Sequence, residues 1–154
     1  MSCQVELSSM QLCDESTTLE GTINNVWNFL VDWRSMPSWD IFMESLDFDG
    51  PLEKGSLGRL KMKNGPTAPL LVTAFNPPHS YTDELRFWFT RLIFHHELKE
   101  IQPGKVSVRF IVEGEGLLPA LIGSWMKKDM HEKMPLLLSN FKEQFGKLHQ
   151  KPEF

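Results

Sequence analysis

Histidine titrates nearest to neutral pH, so its placement is the first guide to chemistry in this chain. His95 and His96 are adjacent; on a strand they point to opposite faces and cannot hold one ion together. His131-Glu132-Lys133-Met134-Pro135 opens like the zinc-protease helix motif, but it lacks the second His four residues after the first, so that type of zinc site is not expected. Cys3 and Cys13 are the only cysteines and form neither a disulfide framework nor a CxxC motif. Ser124 and Ser139 do not sit in a nucleophile-elbow sequence. Gly114-x-Gly116 precedes a helix, but Pro119 stands at the third glycine position and no strand–helix–strand unit surrounds it, which argues against a dinucleotide. No cofactor or metal is expected from these motifs.

What survives is His96, which shares an apolar strand face with Leu92, Phe94 and Leu98. It is either a core histidine satisfied by one partner or a polar anchor or general acid/base inside an apolar cavity, where burial would tune it. It is the one candidate catalytic residue. Asp83 can share the inward face of Leu85 and Phe87, with Tyr81 at the end of the same strand; both read as strand-end surface residues.

The elements that would position His96 follow from periodicity. Residues 1–20, with Val5, Leu7, Met10 and Leu12 ahead of Asp14 to Leu19, are mixed; a strand there is plausible but of unreadable register. Ile23, Val26, Trp27, Leu30 and Trp33 have helical spacing, with Thr22 as candidate N-cap. Pro37 should end that helix and stand at the first position of a second short one over Ser38–Met43. Turn signals at Asp49-Gly50-Pro51, Lys54-Gly55, Asn64-Gly65-Pro66, Asn76-Pro77-Pro78 and Pro103-Gly104 bound candidate strands at Leu57–Lys63, Leu70–Phe75, Tyr81–Phe89, Leu92–Ile101 and Val106–Glu113. In the third of these, Leu85, Phe87 and Phe89 face one way and Glu84, Arg86 and Trp88 the other. Trp88 thus marks a partner surface or caps the outer side. Val106, Val108, Phe110 and Val112 share one face of the last strand. Such alternation describes an antiparallel sheet covered on one side only.

Leu118, Ile122, Trp125, Met126, Met130, Met134, Leu137, Phe141, Phe145 and Leu148 form one stripe at helical spacing. Pro135, interior to it, predicts a kink or break, and the tail Gln150–Phe154 is expected to fray. A single sheet with one apolar face needs a cover, and this helix supplies it. The expected fold is α+β: a helix-grip, with a curved antiparallel sheet wrapped around a long C-terminal helix and two short helices after the first strand. The 154 residues suit one domain.

Several segments together resemble a known family. Ile23-Asn24-Asn25-Val26-Trp27, then Trp33 and Met36-Pro37-Ser38-Trp39, resemble the opening of SRPBCC (START-like, polyketide cyclase/dehydrase and lipid-transport) proteins. Asn76-Pro77-Pro78-His79, His96-Glu97-Leu98 with Pro103-Gly104, Glu113 to Pro119, Met134-Pro135 and Leu138 to Lys142 are similar to later parts of the same pattern, over residues 15–148 in all. The resemblance implies a helix-grip fold with an internal apolar cavity for a lipid, sterol or polyketide-like molecule; some members cyclise or dehydrate polyketides. It transfers no catalytic constellation. Gly55-Ser56-Leu57-Gly58-Arg59 does not match the glycine-rich loop of the plant allergen branch.

The candidate ligand-binding set is Trp33, Trp39, Phe42, Met43, Phe87, Phe89, Phe94, His96, Phe110, Trp125, Met126 and Met130, each of which could equally be core. Eight methionines suit an adaptable apolar surface. Three functions stay open: binding a hydrophobic small molecule, an enzyme of the cyclase/dehydratase type using the same cavity, or an interaction domain, which a filled core and an exposed apolar patch around Trp88 would favour. Twenty acids against sixteen bases, net −4, disfavour a nucleic-acid partner. Met1–Glu6 lacks the basic start and apolar core of a signal peptide, and no apolar run approaches the roughly 20 residues of a membrane span, so the expectation is a cytoplasmic protein with reduced thiols.

Overall fold

The computed structural model describes residues 9–149; Cys3, Val5, Leu7 and the tail Gln150–Phe154 lie outside them. The order is β1 (Met10–Glu20), α1 (Ile23–Leu30), a 3-10 turn (Met36–Ser38), β2 (Met43–Phe48), β3 (Leu57–Met62), β4 (Thr67–Asn76), β5 (Ser80–Phe87), β6 (Thr90–Gln102), β7 (Lys105–Gly116) and α2 (Leu117–His149). All strand pairs are antiparallel, in the order β1-β7-β6-β5-β4-β3-β2. Bulges in β1, β2, β4 and β6 shift the register and bend the sheet. The curled sheet grips α2, as an α+β helix-grip. No helix among the described residues is long and apolar enough to cross a membrane.

The alternation of β5, β6 and β7 has a direct structural counterpart. Tyr81, Asp83 and Leu85 are buried on β5, and Val106, Val108, Phe110 and Val112 on β7. Consecutive strands joined by short turns hold these faces in register: Tyr81 opposes His96, and His96 opposes Phe110.

Thr22 caps α1, its Oγ1 accepting from the Asn25 N–H at 3.1 Å. The helix ends at Leu30, earlier than the spacing through Trp33 suggests, because Trp33 already belongs to the turns leading to Pro37. The second short helix shrinks to the 3-10 turn, and Met43–Phe48 is a strand. A bulge between Met43 and Ser45 breaks its alternation, which hides it from a parity reading. Chain order then has a consequence for the site. β1 and β2 are the two edges of the sheet, so α1 and the segment after it must cross from one edge to the other. They close one end of the grip as they do so.

Phe141 has no exposed surface and sits against Phe29, Trp39 and Phe110, at centroid distances of 5.0, 4.9 and 6.1 Å. The inward face of α2 runs through Pro119, Gly123, Met126, Met134, Leu137, Phe141 and Phe145. Ile122, Trp125 and Leu148, placed on that stripe by spacing, are exposed. The backbone is non-helical at Ile122 (φ −128°, ψ 22°), which changes the phase of the first turns relative to the rest. The break thus falls at Ile122 and not at Pro135, which stays within the helix. Pro135 is on the exposed side, where water can satisfy the carbonyl that lost its N–H partner.

α2 has an unusual start. Its first N–H groups are capped from another element: Leu117 N–H donates to the Phe89 carbonyl (2.9 Å) and Leu118 N–H to Thr90 Oγ1 (3.1 Å). Trp88 and Phe89, the two residues of the β5–β6 turn, have φ of 46° and 54°. Left-handed geometry costs a residue with a side chain roughly 1–2 kcal/mol. Gly116, at φ 96°, turns β7 into α2, and a Cβ there would run into the Phe89 carbonyl oxygen. The glycine pair of the sequence motif therefore serves close packing, since a Cβ at Gly114 would in turn meet Pro119 and Leu12. Gly116→Ala is expected to lower the unfolding free energy by about 2–3 kcal/mol in urea titrations; an unchanged midpoint would contradict this account.

Candidate functional site

Where the sheet and α2 do not meet, they leave a cavity of about 140 Å³. That is roughly ten times the ~10–15 Å³ needed to seat one water by the same measure. Its walls are mainly apolar: Met36, Phe42 and Met43 from the crossing segment, Leu60 and Leu70 from the sheet, Met130, Met134 and Leu137 from α2.

One wall is different. Tyr81, His96 and Phe110 form a row across three neighbouring strands, set by the register. Tyr81 stacks on His96 at 4.2 Å and 21°, and Phe110 meets the His96 ring edge-on at 5.0 Å and 83°. One pair further along β5, Asp83 is also turned inward, and its Oδ1 lies 3.4 Å from His96 Nε2. From the crossing segment Asp40 joins the same cavity wall, its Oδ1 accepting from the Phe42 N–H at 3.0 Å. Two buried nitrogens beside these groups, Trp39 Nε1 and His96 Nδ1, have no hydrogen-bond partner among the described residues. Leaving such a group unpaired costs about 1–3 kcal/mol.

The electrostatics follow from burying acids together. Burial pushes the Asp40 carboxyl up to about 6, against the opposing pull of the Phe42 N–H and His96; the neighbouring Asp83 adds to the rise. Tyr81 is held well above the usual phenol value by burial first and then by the Asp83 and Asp40 carboxylates. At neutral pH Tyr81 therefore keeps its proton and can donate it in a hydrogen bond. Cys13 is a buried thiol raised to about 11, chiefly by burial and then by Glu15 and Asp14, so it is a poor nucleophile. Among the described residues no cluster of three or more His, Cys, Asp or Glu could hold a metal ion.

Of the residues singled out in the sequence, Trp39, Phe42, Met43, Phe94, His96, Phe110 and Met130 line this cavity. The others lie elsewhere. Trp33 is buried, but its indole N–H donates to the Gly50 carbonyl (2.9 Å) and its ring packs on Phe48. Met126 is core outside the cavity wall. Phe87 packs on the core edge beside Trp88. Phe89 is 91% exposed, because the strand ends at Phe87 and the turn interrupts the parity that had placed it inward. Trp125 is exposed because it precedes Met126 by one residue and so falls on the side of the helix away from Met130, Met134 and Phe141.

Tyr81 and Asp83 are corrections in the other direction: both are buried and inward, not strand-end surface. Parity with Leu85 was the available signal, outweighed by the rule that an acid faces water. Asp40 carried no signal, since it lies in the segment expected to be helical. His95 points away from His96, bonding Thr82 Oγ1 at 3.1 Å, and His131 is exposed beside Glu15.

No family model matches the chain, and no curated protein matches it. Solved structures do. A START superfamily protein from Mycobacterium smegmatis superposes with a TM-score of 0.72 at 15% identity, over 90% of this chain and 99% of that one. The fold is SRPBCC/START-like. Norcoclaurine synthase from Thalictrum flavum, in complex with dopamine and hydroxybenzaldehyde, gives 0.71 at 8% identity, over 97% and 92%. The di-domain ARO/CYC BexL of the BE-7585A biosynthetic pathway gives 0.66 at 12% identity, over 94% of this chain and 51% of that one.

The raised Asp40 makes a prediction about stability. In the unfolded chain a carboxyl loses its proton near 3.9, whereas in the folded state Asp40 holds it to about 6. Below the first value Asp40 costs nothing. Between the two the folded state binds more protons, so stability falls as pH rises, and above about 6 the full cost is present. Asp40→Asn is thus expected to gain Tm over the parent protein progressively from pH 4 to pH 6.5, then hold that gain. A difference independent of pH in thermal melts would contradict the buried, proton-retaining Asp40.

Proposed function

We propose that this protein binds a small hydrophobic molecule with one polar end, held in the cavity between the sheet and α2. The observation that carries the reading is the convergence of Tyr81, Asp83, His96 and Asp40 on one wall of an otherwise apolar cavity. Apolar walls give affinity through buried area, at about 25 cal/mol per Å². A few convergent polar groups fix orientation. Tyr81 donates to an oxygen of the ligand, and the His96–Asp83 pair supplies a donor and an acceptor side by side. The unpartnered nitrogens of Trp39 and His96 support the reading, because a bound polar group can relieve what is otherwise a standing cost. The ligand class is lipid, sterol or polyketide-like, and a volume of about 140 Å³ favours its smaller members. The molecules named with the structural neighbours, dopamine and hydroxybenzaldehyde, are aromatic compounds of modest size and support the same range.

A second reading, an enzyme of the cyclase or dehydratase type, has one specific observation in its favour. Asp40, poised near 6 in a water-poor cavity beside a His–Asp pair, can both take and return a proton near neutral pH. In that reading Asp40 or His96 removes a proton next to a carbonyl and Tyr81 holds the oxygen that gathers charge.

Native mass spectrometry of freshly purified protein, set against the denatured sample, tests the first reading through any discrete mass lost on denaturation. His96→Ala and Tyr81→Phe should change which hydrophobic compounds are retained, with affinity for polar-ended compounds falling about tenfold or more. Their Tm should shift by only a few degrees. Collapse of the fold in both variants, with binding of apolar probes unchanged in Asp83→Asn, would mark these groups as core.

A further inference from the structure

Trp88 and Phe89 form the two-residue turn of the β5–β6 hairpin, with both φ values positive. Asn-Gly is the pair that suits such a turn. Here two large aromatics occupy it, and neither is compensated by burial: their exposures are 62% and 91%. The turn is also held firmly. Thr90 Oγ1 donates to the Trp88 carbonyl at 3.1 Å, and α2 begins by donating to the Phe89 carbonyl and Thr90 Oγ1. The scaffold thus fixes the aromatics outward. Leu117 of α2 lines the same groove as the turn, and Leu121 and Trp125 are exposed further along the helix.

The charge around this surface differs from that of the chain. Residues 84–91 and 115–128 hold the acids Glu84 and Glu115 against the bases Arg86, Arg91, Lys127 and Lys128; the remaining chain has 18 acids against 12 bases. The two acids are taken up by Arg86 and Arg91. Lys127 and Lys128 are exposed two and three residues after Trp125, on the side that borders Asp14 and Glu15 of β1; Asp14 is taken up by Arg109, and the adjoining Asp129 by Lys133.

We propose that this end of the molecule docks on an anionic lipid bilayer, with Trp88, Phe89, Leu121 and Trp125 entering the headgroup boundary and Lys127 and Lys128 meeting the lipid phosphates. Aromatic and aliphatic side chains flanked by lysines are the composition that lies at a membrane interface. A basic patch on an otherwise acidic chain orients the molecule toward an anionic surface. The proposal does not depend on what the cavity holds. It does place the patch at the hairpin whose next inward pair, Leu85 and Leu92, lines that cavity.

Co-sedimentation with vesicles of phosphatidylcholine alone and of phosphatidylcholine with phosphatidylserine tests it, alongside gel filtration and thermal melts. The wild-type chain should partition onto the anionic vesicles, less so in high salt. Lys127→Gln/Lys128→Gln should weaken that by about tenfold or more. Trp88→Asn/Phe89→Gly should abolish partitioning while raising Tm, since it replaces strained aromatics by the pair that the turn prefers. The lysine variant keeps the test valid if the turn variant does not fold. Equal partitioning onto both vesicle types, none onto either, or undiminished partitioning of both variants would overturn the proposal. A wild-type dimer that the turn variant converts to monomer would assign the patch to self-association instead.

Discussion

A sheet with one apolar face has to be covered, and in this chain a single helix does nearly all of the covering. Phe141, in the C-terminal third of α2, touches α1 through Phe29, the crossing segment through Trp39 and the sheet through Phe110. These contacts set the distance between helix and sheet. Where large side chains such as Phe141 and Phe145 fill that distance the core is solid. Further toward the start of α2 the inward residues are methionines, which are unbranched and fill space less completely, and there the cavity opens.

The polar wall of the cavity works against stability. Two carboxyls, a phenol and an imidazole sit among apolar side chains, and two nitrogens go unpaired. Burial disfavours the charged forms and mutual repulsion adds to it, so the cheapest response is for Asp40 to retain its proton to higher pH. A stability-driven design would place apolar residues at all these positions. Their presence in a cavity wall is what supports the proposed ligand binding or proton transfer.

The first turn of α2 has its own constraint. Since no local side chain caps its first turn, the helix takes its acceptors from the β5–β6 turn, and Gly116 is needed to let the two approach. This coupling makes one rigid unit of the hairpin tip and the helix start. It also explains how two aromatics are kept in left-handed geometry without the turn relaxing to another form.

The sequence by itself determined the strands from β5 to β7, the N-cap at Thr22, the long helix and hence the helix-grip class. Those elements rest on local periodicity and on hairpin turns that lock neighbours in register, and both are written in consecutive residues. His96 was legible for the same reason. Only the tertiary structure decided what surrounds it. Asp83 and Tyr81 face inward because the strand's parity prevails over the preference of an acid for water. Asp40 arrives from a segment whose path depends on joining two opposite edges of the sheet. Phe89 left the interior because a two-residue turn resets the phase of a pattern that looks continuous in one dimension, and Trp125 because it falls on the side of α2 away from Met130, Met134 and Phe141. The cavity itself is a mismatch between two surfaces, and no local pattern encodes the space that two surfaces leave between them.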